Sequence, residues 1–289
     1  MSHFSAHAKH SKTPMKYAIC NELFDGIPAA TGLKLASEIG YTGVEVAPFT
    51  LGRYVSEVTE SQRNSYRQLV ESFGMEIIGL HWLLAKTEGF HLTTSDASVR
   101  DRTANYLEEL VGLCADLGGS VMVLGSPAQR NFQSPMTHEQ AAENARRVIE
   151  RIVPALEASN VRLAIEPLGP QEGNFLNYAW QACRLIDAIG SPWVRLHLDV
   201  KAMSSEGPPI ESIIREHADW MIHFHANDPN RLGPGMGDVD QQPIFQSLVD
   251  IGYDGWVSVE VFDYAPGIET ILRDSMTTMK RCIAQARAG

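Results

Sequence analysis

Eight short apolar runs, rich in β-branched residues, recur along this chain of 289 residues, and each leads into a stretch with helical periodicity. They are Lys16–Asn21, Thr42–Ala47, Met75–His81, Ser120–Gly125, Val161–Glu166, Val194–Asp199, Trp220–His225 and Gly255–Glu260. Helical patterns fill the intervals at Gly26–Ile39, Thr59–Phe73, Ser98–Leu117, Thr137–Ser159, Asn177–Ile189, Ile210–His217, Gln241–Ile251 and Ile268–Ala286. Eight strands alternating with eight helices predict an α/β fold, a (β/α)8 TIM barrel. A doubly wound sheet would need fewer strands or a break between domains, and no linker-like change of composition supplies one. The barrel is therefore expected to occupy residues 15–289 as a single domain. Met1–Pro14, rich in Ser, His and Lys, is expected to be a flexible tail. Two similar phrases, Glu38–Gly43 and Asp250–Gly255, read as glycine helix stops that lead into inner strands.

Composition excludes several partners. A hydrophobic content of 44% is enough for a large core, and a formal charge of −11 without a long basic run argues against nucleic acid and anionic membranes. Cys20, Cys114, Cys183 and Cys282 lie far apart and form no CxxC pair, the pattern of reduced cysteines in a cytoplasmic protein. No apolar stretch is long enough to span a bilayer, and the first residues lack the apolar core of a signal peptide. His3, His7 and His10 in the tail are at most weak metal ligands. A homo-oligomer, dimer or tetramer, is compatible with this composition.

The chemistry lies at the strand ends. The last four strands finish in Glu166, Asp199, His225 and Glu260. Parallel barrel strands point their carboxyl ends at one mouth, so these four side chains are expected to converge there. Three carboxylates crowded in a partly dry site repel one another, and a divalent cation is the simplest compensation. Hard oxygens with one imidazole suit Mn²⁺, Mg²⁺ or Co²⁺ better than structural zinc.

The phrases Ile165-Glu-Pro-Leu168, Leu198-Asp199, His223-Phe-His-Ala-Asn-Asp228, Gly233-Pro-Gly-Met-Gly-Asp-Val-Asp240 and Val259-Glu-Val-Phe262 resemble those of the xylose-isomerase-like sugar isomerases and epimerases. The likeness is greatest to the ketose 3-epimerase branch, of the D-tagatose 3-epimerase kind, and runs from about Lys16 onward. It implies one divalent ion, Mn²⁺ first among the candidates, held by Glu166, Asp199, His225 and Glu260. It also implies that Glu166 and Glu260 form the acid/base pair and that Glu172 and Arg231 contact substrate oxygens. The implied reaction removes a proton beside a ketose carbonyl to form an enediolate and returns one from the opposite face. Return to the adjacent carbon would instead give aldose–ketose isomerisation, and the residues leave that choice open.

One departure bears on the substrate. Similar epimerases carry a substrate-binding histidine three residues after the sixth-strand aspartate, where this chain has Ala202, with Lys201 beside it as an alternative polar contact. A lyase acting on 3-keto-glycosides by β-elimination could use the same base and metal. A metal-bound barrel that only binds sugar would need no opposed pair of glutamates. The abasic-site endonucleases of the same barrel need additional histidines where this chain has Gly125-Ser-Pro127, Ala202 and Arg231. His81 and Trp82 follow the third strand and are further candidates for the mouth, and Glu22 and Glu45 are lesser candidates for it. Arg130 reads as an exposed loop residue. The run Gly233–Gly237 lacks dinucleotide-binding spacing.

Overall fold

The computed structural model describes residues 15–288, so the expectation of a flexible tail at Met1–Pro14 lies outside the described residues. In chain order the elements are β1 (Lys16–Cys20), α1 (Ala29–Ile39), β2 (Gly43–Val46), α2 (Glu60–Ser72), β3 (Glu76–Leu80), α3 (Ala97–Asp116), β4 (Val121–Leu124), α4 (His138–Ser159), β5 (Arg162–Ile165), α5 (Ala179–Ile189), β6 (Val194–Asp199), α6 (Val200–Met203), α7 (Ile210–Glu216), β7 (Met221–Ala226), α8 (Gln241–Asp250), β8 (Trp256–Val259) and α9 (Ile268–Ala288). The strands pair in sequence order, all parallel, and β8 closes on β1. This is the expected barrel.

Local chemistry explains most element ends. Thr137 opens α4 with a reciprocal cap, its hydroxyl accepting from the Gln140 amide while the Gln140 side chain accepts from its own. The echoed phrases end their helices as expected, with Gly40 and Gly252 at φ 112° and 70°, where a side chain would be strained. Two departures from expectation have a local cause. The first helix begins at Ala29 instead of Gly26, because Pro28 has no amide to give and sits at the cap position. The short helix α6 had no periodicity to announce it; the Asp199 side chain starts it by accepting from the Ala202 amide at 2.8 Å.

Apolar residues from the outer strand faces and the inner helix faces form one continuous cluster around the barrel. All four cysteines are free and buried, Cys114, Cys183 and Cys282 within this cluster and Cys20 beside Glu45 and His81. Among the described residues no helix is long and apolar enough to cross a membrane. The interior near the mouth is different: Glu22, Glu45, His81, Glu166, His197, Asp199, His223, His225 and Glu260 are all buried. Two strand irregularities fall at this polar interior. Pairing of β2 with β3 slips between Val44 and Glu45, and pairing of β6 with β7 slips between Leu196 and His197. Such slips increase local twist and re-aim side chains, here those pointing into the barrel.

Candidate active site

The four side chains expected to converge lie on adjacent strands β5 to β8. Donor atoms of Glu166, Asp199 and His225 lie within 4.8 Å of one another, together with one of His197, a residue not anticipated from sequence. Glu260 sits against the other side of this group, its Oε2 3.2 Å from His225 Nδ1. His197 precedes Asp199 by two positions and so shares its face of β6. Strand alternation alone would have placed it there.

Each acid is held by its surroundings. Asp199 Oδ1 accepts from the Ala202 amide, and its Oδ2 accepts from Asn227 Nδ2 at 2.6 Å. Asn227 Oδ1 in turn accepts from the Lys201 amide at 2.8 Å, which ties the β7 end to α6. Glu166 depends on a glycine: a Cβ at Gly125, just past β4, would stand 1.5 Å from Glu166 Oε2. Arg130 corrects the expectation of an exposed loop arginine. It is buried, and Nη1 donates to the Glu166 carbonyl at 2.6 Å, because the loop after β4 folds back over the β5 end. Burial brings its pKa down to about 10, against the opposing charges of Glu166 and Glu172. Glu260 Oε1 accepts from Trp82 Nε1 at 2.5 Å. Trp82 holds this position with φ 54°, a conformation a bulky residue seldom adopts, and its ring stacks on Phe262 with centroids 5.8 Å apart.

Behind these groups lies a second polar layer supplied by the first strands. Glu22 Oε2 is 2.7 Å from His81 Nε2, and Glu45 Oε2 is 2.7 Å from His223 Nε2 and 3.1 Å from His225 Nε2. Sequence reading gave Glu22 and Glu45 little weight and passed over His223, since none of them stands at a strand end in the second half.

A cavity of about 300 Å³ opens at the mouth. Glu166 and Glu260 both line it, with an aromatic wall of Trp82 and Phe262 beside Glu260. The four expected substrate contacts are placed unequally. Glu172 and Lys201 both line the cavity, joined by an ion pair at 2.7 Å, and the Lys201 ammonium lies 4.6 Å from the centre of the Phe262 ring. His81 is fully buried beneath Trp82 with one nitrogen held by Glu22, and it does not line the cavity. Arg231 is exposed on the loop after β7 at φ 74°, where its Nη2 donates to the Phe262 carbonyl at 3.0 Å.

The electrostatics favour a cation. Burial pushes Glu166 well above the ordinary carboxylate range, and the charges of Glu260 and Asp199 push it further. Asp199 is raised mainly by burial, with Lys201 opposing. For Glu260 burial acts upward, but His225 and the Trp82 hydrogen bond bring it below the usual value. Burial would lower His225, yet the carboxylates of Glu45 and Glu260 hold it well above its ordinary value. Three crowded carboxylates with one imidazole form a donor set of the kind that holds a divalent metal ion.

A family profile for xylose isomerase-like TIM barrels matches residues 33–282, and the chain belongs to that family. Among its curated relatives are epimerases acting on ketoses. A probable ketose 3-epimerase of Synechocystis is 27% identical over 236 residues, covering 79% of this chain and 77% of the relative. A D-psicose 3-epimerase of Enterocloster bolteae is 33% identical over 178 residues, covering 61% of this chain and 59% of the relative. The solved structure of an L-ribulose 3-epimerase superposes with a TM-score of 0.80 at 20% identity, covering 95% of this chain and 96% of that one.

Proposed function

We propose that this chain is a divalent-metal-dependent sugar epimerase, inverting the carbon beside a ketone carbonyl by proton transfer between Glu166 and Glu260. The observation that carries this reading is the pair of buried carboxylates, one from β5 and one from β8, lining a single cavity beside Asp199 and His225. The ketose 3-epimerase names of the relatives support it. Glu166, Asp199, His225 and Glu260 would hold one ion, Mn²⁺ before Mg²⁺ or Co²⁺, which supplies Lewis-acid polarisation of the substrate carbonyl.

One glutamate removes the proton on the adjacent carbon, giving an enediolate, and the other delivers a proton from the opposite face. Epimerisation runs in both directions, so each glutamate is the base for one epimer and the donor for the other. Trp82 fixes the Glu260 carboxylate through Oε1. Glu172 and Lys201 offer an acceptor and a donor to sugar hydroxyls. The aromatic wall covers the apolar face of the sugar and keeps water from the exchanging proton.

The substrate is a ketose that need not be a free hexulose. Ala202, where similar epimerases carry a substrate-binding histidine, is buried and does not line the cavity, so that position supplies no partner to a substrate hydroxyl. A curated relative from Shigella flexneri, 21% identical over 81% of this chain, is a fructoselysine 3-epimerase, which acts on a modified ketose. The test is a panel of free ketoses, fructosamine-type ketoses and 3-keto-glycosides in deuterated buffer with Mn²⁺. Deuterium incorporation and an epimeric product, abolished by chelation and restored by metal, are expected. Full activity in verified metal-free protein would refute the reading, and elimination of an aglycone would establish the lyase alternative instead.

A further inference from the structure

We propose that Glu45 is a positioning residue that fixes the tautomer and ring orientation of the metal ligand His225, an inference that rests on the function proposed above. Glu45 lies on β2 and His225 on β7, with β1 and β8 between them, so the contact reaches across the barrel interior. Glu45 is fully buried and does not line the cavity, so it does not touch the substrate. The irregular pairing of β2 with β3 immediately before it coincides with its inward aim.

A carboxylate only accepts hydrogen bonds. Each His225 nitrogen faces a carboxylate: both Glu45 oxygens lie within 3.2 Å of Nε2, and Glu260 Oε2 lies 3.2 Å from Nδ1. Glu260 is itself a candidate ligand and lines the cavity, so Nδ1 is the nitrogen that shares a cation with it, while Nε2 keeps its hydrogen toward Glu45, which does not line the cavity. The opposite tautomer would bring a lone pair against a buried carboxylate. A flipped ring would leave that carboxylate without one of its two histidine partners. His223 Nε2, 2.7 Å away, anchors the same Glu45 oxygen from the strand that carries His225. His197 packs edge-on against the His225 ring, with centroids 4.1 Å apart, and neither of its nitrogens has a hydrogen-bond partner. It restrains the ring by contact without competing for Glu45. A carboxylate behind a metal-bound imidazole also raises its basicity, and loss of such a partner typically weakens metal affinity by about 10- to 100-fold.

The experiment compares Mn²⁺ binding to wild type and Glu45→Gln by calorimetry and electron paramagnetic resonance, with far-UV circular dichroism as the check on folding. The glutamine keeps the shape and removes the charge. The expected result is a Kd raised about 10- to 100-fold with kcat largely recovered at saturating Mn²⁺. A folded Glu45→Gln protein that binds Mn²⁺ as wild type does would overturn the inference. A second measurement uses wild type alone, in case the variant does not fold. Long-range ¹H–¹⁵N correlation spectra of Mg²⁺-loaded protein, with the signal assigned by its loss in His225→Gln, should show Nε2 protonated and Nδ1 bound. Nδ1 protonated and Nε2 bound would overturn it. Wild type that binds no divalent ion at all would instead refute the metal-dependent function, and this inference with it.

Discussion

The two halves of the barrel mouth carry polar side chains in similar number but use them differently. Strands β5 to β8 bring Glu166, Asp199, His225 and Glu260 to one another, and Glu166 and Glu260 also line the cavity. Strands β1 to β3 supply Glu22, Glu45, His81 and Trp82, of which only Trp82 reaches the cavity. Glu22 and His81 pair with each other, Glu45 pairs with the β7 histidines His223 and His225, and Trp82 donates to Glu260. One half gathers the candidate metal ligands, and the other packs polar partners behind them. Five buried carboxylates would each cost several kcal/mol if left alone. Distributing them over facing strands gives Glu22, Glu45, Asp199 and Glu260 hydrogen-bonding partners and leaves the Glu166 carboxylate to face the cavity, while the apolar shell between strands and helices offsets the remainder.

Changes at Glu166 and Glu260 are therefore expected to abolish chemistry, whereas changes at the residues around them grade it. The largest effect is expected for Glu166→Gln and Glu260→Gln, each lowering kcat by roughly 10³-fold or more, since proton transfer alone is worth about 10²–10⁴. Substrate exchange in deuterated buffer would then separate the two, each variant retaining exchange at a different face. Wild-type turnover in either one would remove it from the mechanism.

Next is Trp82→Phe, which keeps the ring stacked on Phe262 but removes the donor to Glu260. A hydrogen bond to a charged group is worth about 1.5–3 kcal/mol, so kcat should fall about 10- to 100-fold with KM little changed. A rise in KM alone would make Trp82 a substrate contact and blur the boundary between the halves.

A smaller effect is expected for Glu172→Gln, which breaks the Lys201 ion pair on the cavity wall. Steady-state kinetics should show KM raised about 10-fold at nearly constant kcat. An unchanged KM would place the pair outside the substrate's reach.

The smallest expected effect is on stability and belongs to the first half. Burial acts to lower His81, but Glu22, with Glu45 and Glu260 behind it, raises its folded-state pKa above the ordinary histidine value. A histidine raised in this way contributes fully below its unfolded pKa of about 6.5, and its contribution is lost as pH rises through the folded value. The stability gap between wild type and Glu22→Gln, of order 1 kcal/mol, should therefore be wider at pH 6 than at pH 9 in urea unfolding. A gap that widens with pH would mean that the pair is not held by charge.

Much of this protein is written in local sequence. The alternation of apolar runs and helical periods determined a closed eight-stranded barrel, because a strand needs only its own residues to declare a two-residue period and a helix its own to declare 3.6. Glu166, Asp199, His225 and Glu260 were legible for the same reason: each follows an apolar run, and parallel strands carry their ends to one place. What only the tertiary structure decided is which residues stand behind them. Glu45 and His225 are 180 positions apart, and two other strands separate theirs around the barrel. Their meeting depends on closure and on a one-residue slip beside Glu45. The same holds for Trp82 reaching Glu260, and for Arg130, whose loop looks exposed until it folds back over the end of β5. His81 and Arg231 are near the right strand ends in sequence but do not line the cavity. Burial and hydrogen-bond partners arise between distant segments, so a local pattern brings a residue to the mouth without deciding what its side chain will touch.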